Sequence, residues 1–308
     1  MESDIASTTQ NNSPKNQKNK LKNNGINPKY RLSKALRPFS LPVALITCSL
    51  GIVAGHTLQP INPLSTILVL IAGILLQAGV NLINDHADIK NPITLALLSP
   101  TDTSRIIYNY KLGWLCFIIC AVIGLYLTYQ TSLFLLALAF IGGLGALFYT
   151  TEPIHYKRRG LGVVLVFFLM GVFMVYGACF AVTGQHYTEA ISISIPVSFL
   201  TSALLLANEL RDYTSDRKEG LKTLTVRLGL KTGKILYWVL IFFSFVSLLL
   251  IDSDQPTWAA ILIFIPAFML SIVATHTTVT KPDLQGLPPT TGRLYLVFGI
   301  SEIVLLMI

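Results

Sequence analysis

Charge is what this 308-residue chain most lacks: Asp, Glu, Lys and Arg make up 12% of it, about half the roughly 25% of an ordinary soluble domain. With 53% apolar residues and a mean hydropathy of +0.63, there is too little polar surface to keep a body of this size in water. The same composition excludes disordered or collagen-like structure beyond the first thirty residues. Cysteine is scarce as well. Cys48, Cys116, Cys120 and Cys179 each lie inside an apolar run, which excludes a disulfide framework or a zinc ribbon and reads as packing. The net charge of +8 forms no stripe on a soluble surface, so no nucleic-acid partner is expected. The chain reads as an integral membrane protein.

What is present in abundance is long apolar sequence. A hydrocarbon core of about 30 Å needs roughly 20 apolar residues in a helix. Nine runs qualify, at about 40–60, 64–83, 112–130, 131–150, 161–184, 190–207, 235–251, 257–276 and 294–308. The first eight contain no Asp, Glu, Lys or Arg, and the ninth carries only Glu302, expected to reach the interface. All 23 Lys and Arg residues fall in the N-terminal tail or in the even-numbered loops between these runs. That alternation predicts an all-α bundle of nine transmembrane helices, multi-pass in a plasma (inner) membrane, with a cytoplasmic N-terminus. Residues 1–35 read as a disordered basic cytoplasmic tail, and 36–308 as the transmembrane domain in contact with membrane lipid.

Five of the fifteen acidic residues crowd the ends of two helices on the cytoplasmic side. The second run ends Asn81-Leu-Ile-Asn84-Asp85-His86-Ala87-Asp88, and the sixth ends Asn208-Glu209-Leu-Arg211-Asp212-Tyr-Thr-Ser-Asp216. If each helix continues through its motif, Asn81, Asp85 and Asp88 share one face, and Asn208, Asp212 and Asp216 share another. Like charges so arranged repel, which calls for a cation. An all-oxygen donor set beside basic residues suits Mg²⁺ holding a diphosphate. Four spans separate two Asn-x-x-x-Asp openings, which hints at an internal duplication. Arg105, Lys157, Arg159, Arg211 and Lys222 lie on the same side as candidate phosphate contacts, although the positive-inside bias alone accounts for cations there. Gly142, Gly143 and Gly145 predict close helix approach in lipid.

At these residues the chain resembles the UbiA superfamily of intramembrane prenyltransferases, and within it the branch that prenylates 1,4-dihydroxy-2-naphthoate in menaquinone biosynthesis. Asn208 to Gly229, NELRDYTSDRKEGLKTLTVRLG, is similar to that branch's N-x-x-R-D-x-x-x-D run followed by Thr-Leu and V-R-L-G. Leu36-Arg37-Pro38-Phe-Ser-Leu41-Pro42, Tyr149-Thr150, Pro153 and Arg159-Gly160-Leu161-Gly162 resemble it as well. The resemblance implies a nine-helix fold and Mg²⁺-dependent transfer from a polyprenyl diphosphate to an aromatic acceptor. Asp85, Asp88, Asp212 and Asp216 would be the catalytic metal ligands. Asn81, Asn84, Asn208, Tyr149, Arg159, Arg211 and Lys222 would border substrate. Three departures stand out. Pro92 occupies the place of a further carboxylate, with Asp102 as a candidate stand-in; the segment 91–103 lacks a Gly-Asp pattern; and Val163 replaces an acidic residue after Gly-Leu-Gly. Competing readings are another acceptor such as 4-hydroxybenzoate or homogentisate, a catalytically weak isoprenoid-binding scaffold, and a transporter. Against the last, transporters keep their acids near the bilayer midplane.

Overall fold

The computed structural model describes residues 27–308 apart from 91, 97, 150–152, 252–254 and 282. Within its helices, the side chains of Asp88, Ile93 and Lys157 also lie outside the described set. Residues 1–26, most of the expected tail, fall outside it too. The described residues are helical with no strand. Seven helices are long and apolar enough to cross a membrane: α2 (Pro63–Asn84), α3 (Pro100–Gln130), α5 (Gly162–Thr183), α6 (Glu189–Lys218), α7 (Leu230–Leu250), α8 (Thr257–Thr280) and α9 (Leu287–Met307). Two more apolar helices, α1 (Leu41–His56) and α4 (Leu133–Phe148), have 16 residues each. That length spans about 24 Å, short of the full hydrocarbon thickness.

Several boundaries differ from expectation for local reasons. Helix α3 begins twelve residues before its apolar run, because Ser99 and Asp102 form a reciprocal capping box at its start, which satisfies orphan backbone donors. Arg105 therefore sits on a helix, not in a loop. Ordered structure also starts before residue 35: short turns at Pro28–Tyr30 and Leu32–Ala35 bury Tyr30 and Ala35 against the bundle. The Asn109 amide donates to the Tyr30 carbonyl at 3.0 Å. Glu302 does not reach an interface. It is fully buried on α9, with no hydrogen-bond partner for either carboxylate oxygen among the described residues.

The fold centres on α6, the most enclosed of the long helices. One core groups α1, α6, α7, α8 and α9 through residues such as Leu50, Leu206, Tyr237 and Phe298. Helices α2 and α3 cross closely where Gly79 and Gly113 meet: a Cβ on either would come within 3.1 Å of the other's carbonyl oxygen. Small residues at such crossings let backbones approach in lipid. Gly145 fits that expectation, packing on Leu169, but Gly142 and Gly143 do not, since a Cβ on either would meet open space. Helix α4 buries only Leu135 and leaves its inner side facing a cavity.

Candidate active site

That cavity has a volume of about 1020 Å³. Its depth is lined by apolar side chains of six helices, among them Val43, Leu76, Phe117, Leu136, Phe173 and Leu205. At one end the wall changes character: Asn81, Asn84, Asp85, Tyr149, Asn208, Arg211, Asp212 and Asp216 all line it. Eight sequence-predicted residues from three chain segments therefore meet at one mouth.

The two motifs reach that mouth differently. Helix α2 ends at Asn84 with Asp85 as its C-cap, and a separate short helix, His86–Lys90, follows. The helix expected to run on through Asp88 is thus interrupted at Asp85, and the third member of the expected stripe, Asp88, has its side chain outside the described set. The Asp85 side chain is 3% exposed, and its Oδ1 accepts from Arg37 Nη2 at 3.0 Å. With the Asn84 amide oriented oxygen towards that guanidinium, Arg37 Nη2 and Nη1 donate to it at 2.7 and 2.6 Å. Asn81 spends its amide donor on the turn before α1, on Leu36 O at 2.8 Å and Ser40 Oγ at 2.9 Å.

Helix α6, by contrast, continues through the second motif to Lys218. Arg211 clasps its neighbour Asp212 bidentately, Nε to Oδ1 and Nη2 to Oδ2, both at 2.7 Å. Asp216 is buried and accepts from Thr223 Oγ1 at 3.3 Å. Glu209, which sequence reasoning passed over, is buried and accepts from the Thr225 backbone N–H at 3.0 Å, tying the following segment to α6. Asn208 donates back to Leu204 O of its own helix.

Tyr149 caps α4 at the junction of the two halves. Burial first, then the nearby Glu209 charge, pushes its phenol well above the ordinary 10.0, with Arg37 opposing. The group stays protonated and can serve as a donor. Tyr156 stacks edge-on against it and donates to Gly145 O.

Other expected contacts lie outside the cavity wall. Arg105 is exposed, its guanidinium over the Tyr108 ring. Arg159 is exposed and donates to Pro153 O, and Lys222 is exposed, its carbonyl accepting from Arg227 Nε. Asp102 cannot stand in for the missing carboxylate, because its oxygens cap α3 and accept from the Asn27 N–H at 2.8 Å. The side chains of Lys157 and Asp88 lie outside the described residues. In compensation, Arg37, Arg158 and His155 line the mouth, and Arg158 Nε is buried without a hydrogen-bond partner among the described residues. Arg37 was visible only as part of an Arg-Pro opening. Arg158 was indistinguishable from its basic neighbours, because its inward aim is set by a turn with left-handed residues at His155 and Gly160.

Oxygen donors on two helix ends suit Mg²⁺, which takes one or two carboxylates and completes its shell with water and phosphate oxygens. Among the described residues no three or more His, Cys, Asp or Glu side chains form a preassembled cluster. The donor chemistry fits the ion.

The sequence model of the UbiA prenyltransferase family matches residues 44–286. UbiA prenyltransferase domain-containing protein 1 of Gallus gallus is 27% identical over 280 residues, covering 86% of this chain and 81% of that one. Its Dictyostelium discoideum counterpart is 27% identical over 282 residues, covering 86% and 83%. Among solved structures, a UbiA homolog from Archaeoglobus fulgidus bound to GPP and Mg²⁺ aligns over 90% of this chain and 99% of its own, with a TM-score of 0.61 and 16% identity. The apo structure of a UbiA homolog from Aeropyrum pernix K1 aligns over 89% and 98%, with a TM-score of 0.62 and 18% identity. At such identities the likeness is one of fold.

Proposed function

The chain belongs to the UbiA prenyltransferase family, and from that premise we propose that it transfers a polyprenyl group from a polyprenyl diphosphate to 1,4-dihydroxy-2-naphthoate, with Mg²⁺ as cofactor. Diphosphate and CO₂ leave, and the product is a demethylmenaquinol. One observation carries the reading: two aspartate-bearing helix ends meet at the mouth of a single cavity whose wall turns apolar below them. The naphthoate acceptor is supported by the run Asn208 to Gly229. Mg²⁺ and prenyl diphosphate are supported by the ligands of the Archaeoglobus homolog.

Asp85, Asp88, Asp212 and Asp216 would hold Mg²⁺, which would supply charge neutralisation of the leaving diphosphate. Arg158 and Arg211 add fork-shaped donors for phosphate oxygens, and Lys157, Arg159, Lys222 and Arg105 supply basic charge around the entrance. Neutral Tyr149 donates a hydrogen bond to an oxygen at the mouth, alongside Asn81, Asn84 and Asn208. The apolar wall around Phe117, Leu136 and Phe173 receives the isoprenoid tail and excludes water, which would otherwise capture the allylic cation. The naphthoate ring attacks through its carboxyl-bearing carbon, and loss of CO₂ and a proton restores aromaticity.

In the same reading, residues 36–308 form one transmembrane domain. The short helices α1 and α4 count as crossings, giving nine, and the mouth with the N-terminus faces the cytoplasm. The test supplies membranes with Mg²⁺, a radiolabelled polyprenyl diphosphate, and either 1,4-dihydroxy-2-naphthoate or 4-hydroxybenzoate. Prenylated naphthoquinol and CO₂, both lost in Asp85→Ala and Asp212→Ala, are expected. Product formed only with 4-hydroxybenzoate would keep the transferase and move the acceptor.

A further inference from the structure

We infer that Arg37 is a placeholder cation. It neutralises Asp85 while the site is empty, excludes a lone divalent ion, and passes to the diphosphate when metal and diphosphate arrive together. The inference rests on the Mg²⁺–diphosphate reading above and concerns how that site is loaded.

Asp85 is 3% exposed, and a carboxylate so enclosed must keep a positive partner. Its partner comes from 48 residues away and lines the cavity mouth itself. The placement of Arg37 is built in, not incidental. Its φ is +49°, a left-handed conformation that non-glycine residues hold only when their surroundings over-determine it. Those surroundings are present: Ser40 Oγ donates to Arg37 O at 2.9 Å, Asn81 donates to Leu36 O and Ser40 Oγ, and Gln77 Nε2 donates to Ser40 Oγ at 3.2 Å. Asn81, from the first motif, is thus a positioning residue for Arg37.

The charge balance then dictates an order. A divalent ion approaching Asp85 alone must displace a guanidinium and leave that cation beside a dication. An ion that arrives with diphosphate brings the anion to which Arg37 can turn. Arg37 and Asp85 each exchange one partner for another of the same sign, and no buried charge is left bare. Metal and diphosphate should therefore bind cooperatively.

The test uses full-length protein in nanodiscs, with Mn²⁺ followed by its free-ion EPR signal, with and without inorganic pyrophosphate. In the wild type, pyrophosphate should tighten Mn²⁺ binding on the order of tenfold or more. Arg37→Gln should bind Mn²⁺ alone more tightly, by roughly the same factor, and lose most of the pyrophosphate effect. Ser40→Ala, which loosens the turn and leaves the guanidinium in place, should shift both quantities the same way by less. It also keeps the question answerable if Arg37→Gln folds poorly. Wild-type Mn²⁺ affinity and undiminished pyrophosphate coupling in both variants would overturn the placeholder role alone, provided Asp85→Asn weakens Mn²⁺. Mn²⁺ binding unchanged in Asp85→Asn would overturn the underlying metal reading along with it.

Discussion

The two halves of the cavity mouth carry the same Asn-x-x-x-Asp spacing and are held in opposite ways. At the end of α2, Asp85 is 3% exposed and paired with an arginine 48 residues distant. At the end of α6, Asp212 is 40% exposed and paired with its immediate neighbour. The first half depends on tertiary structure: a strained turn, a helix that stops at Asn84, and amide donors aimed across the bundle. The second is almost entirely local, since α6 simply continues. Equal spacing in sequence therefore hides unequal physics. One aspartate needs its partner in order to be buried, whereas the other is already partly solvated.

The most severe way to test this pairing is catalytic. If both halves hold metal, Asp85→Ala and Asp212→Ala should each cost about 4 kcal/mol of transition-state stabilisation, roughly a thousandfold in turnover. A residual rate near wild type in either would reduce the site to one half. Stability should separate the halves more sharply. Arg37→Ala removes the guanidinium facing a buried carboxylate and should cost about 3–5 kcal/mol, while Arg211→Ala removes a solvated pair and should cost about 0–1 kcal/mol. Thermal unfolding of the two variants side by side decides it, and equal shifts would erase the contrast.

The asparagines sharpen the comparison at smaller scale. Asn81→Ala removes two cross-bundle hydrogen bonds and should cost about 1–3 kcal/mol, visible as a lowered unfolding midpoint. Asn208→Ala loses only a bond to its own helix and should stay within about 0.5 kcal/mol. The smallest effect concerns Tyr149, whose raised pKa makes the folded state hold its proton longer than the unfolded chain. Its contribution is fully present below the ordinary value of 10.0 and falls away as pH rises past it. Tyr149→Phe should flatten that alkaline decline and leave stability near neutrality almost unchanged.

How much of this was legible beforehand varies by element. The apolar runs at 64–83 and 257–276 became α2 and α8 almost unchanged, because spanning length and charge exclusion are properties of contiguous sequence. The start of α3 was missed by twelve residues, since a polar first turn with a capping box carries no apolar signal. Glu302 was expected at an interface and is instead enclosed. A periodic helix does not announce which neighbours will cover one of its faces. At the site, the eight residues that line the mouth were named from their motifs, yet Arg37, Arg158 and His155 were not. Arg105, Arg159 and Lys222 were named and stand outside the wall.

What the sequence determined by itself was everything governed by the solvent and by the near neighbour along the chain. Multi-pass membrane residence follows from missing charge and apolar length, and the continuity of the second motif from a helix that runs on to Lys218. Only the tertiary structure decided which cation meets which carboxylate. Asp85 finds Arg37 because a strained turn is pinned by Asn81 from α2, and Arg158 and Arg159 fall to wall and surface between left-handed residues at His155 and Gly160. A charge's partner is set by distance through space, and in a folded bundle that distance has no counterpart in residue number.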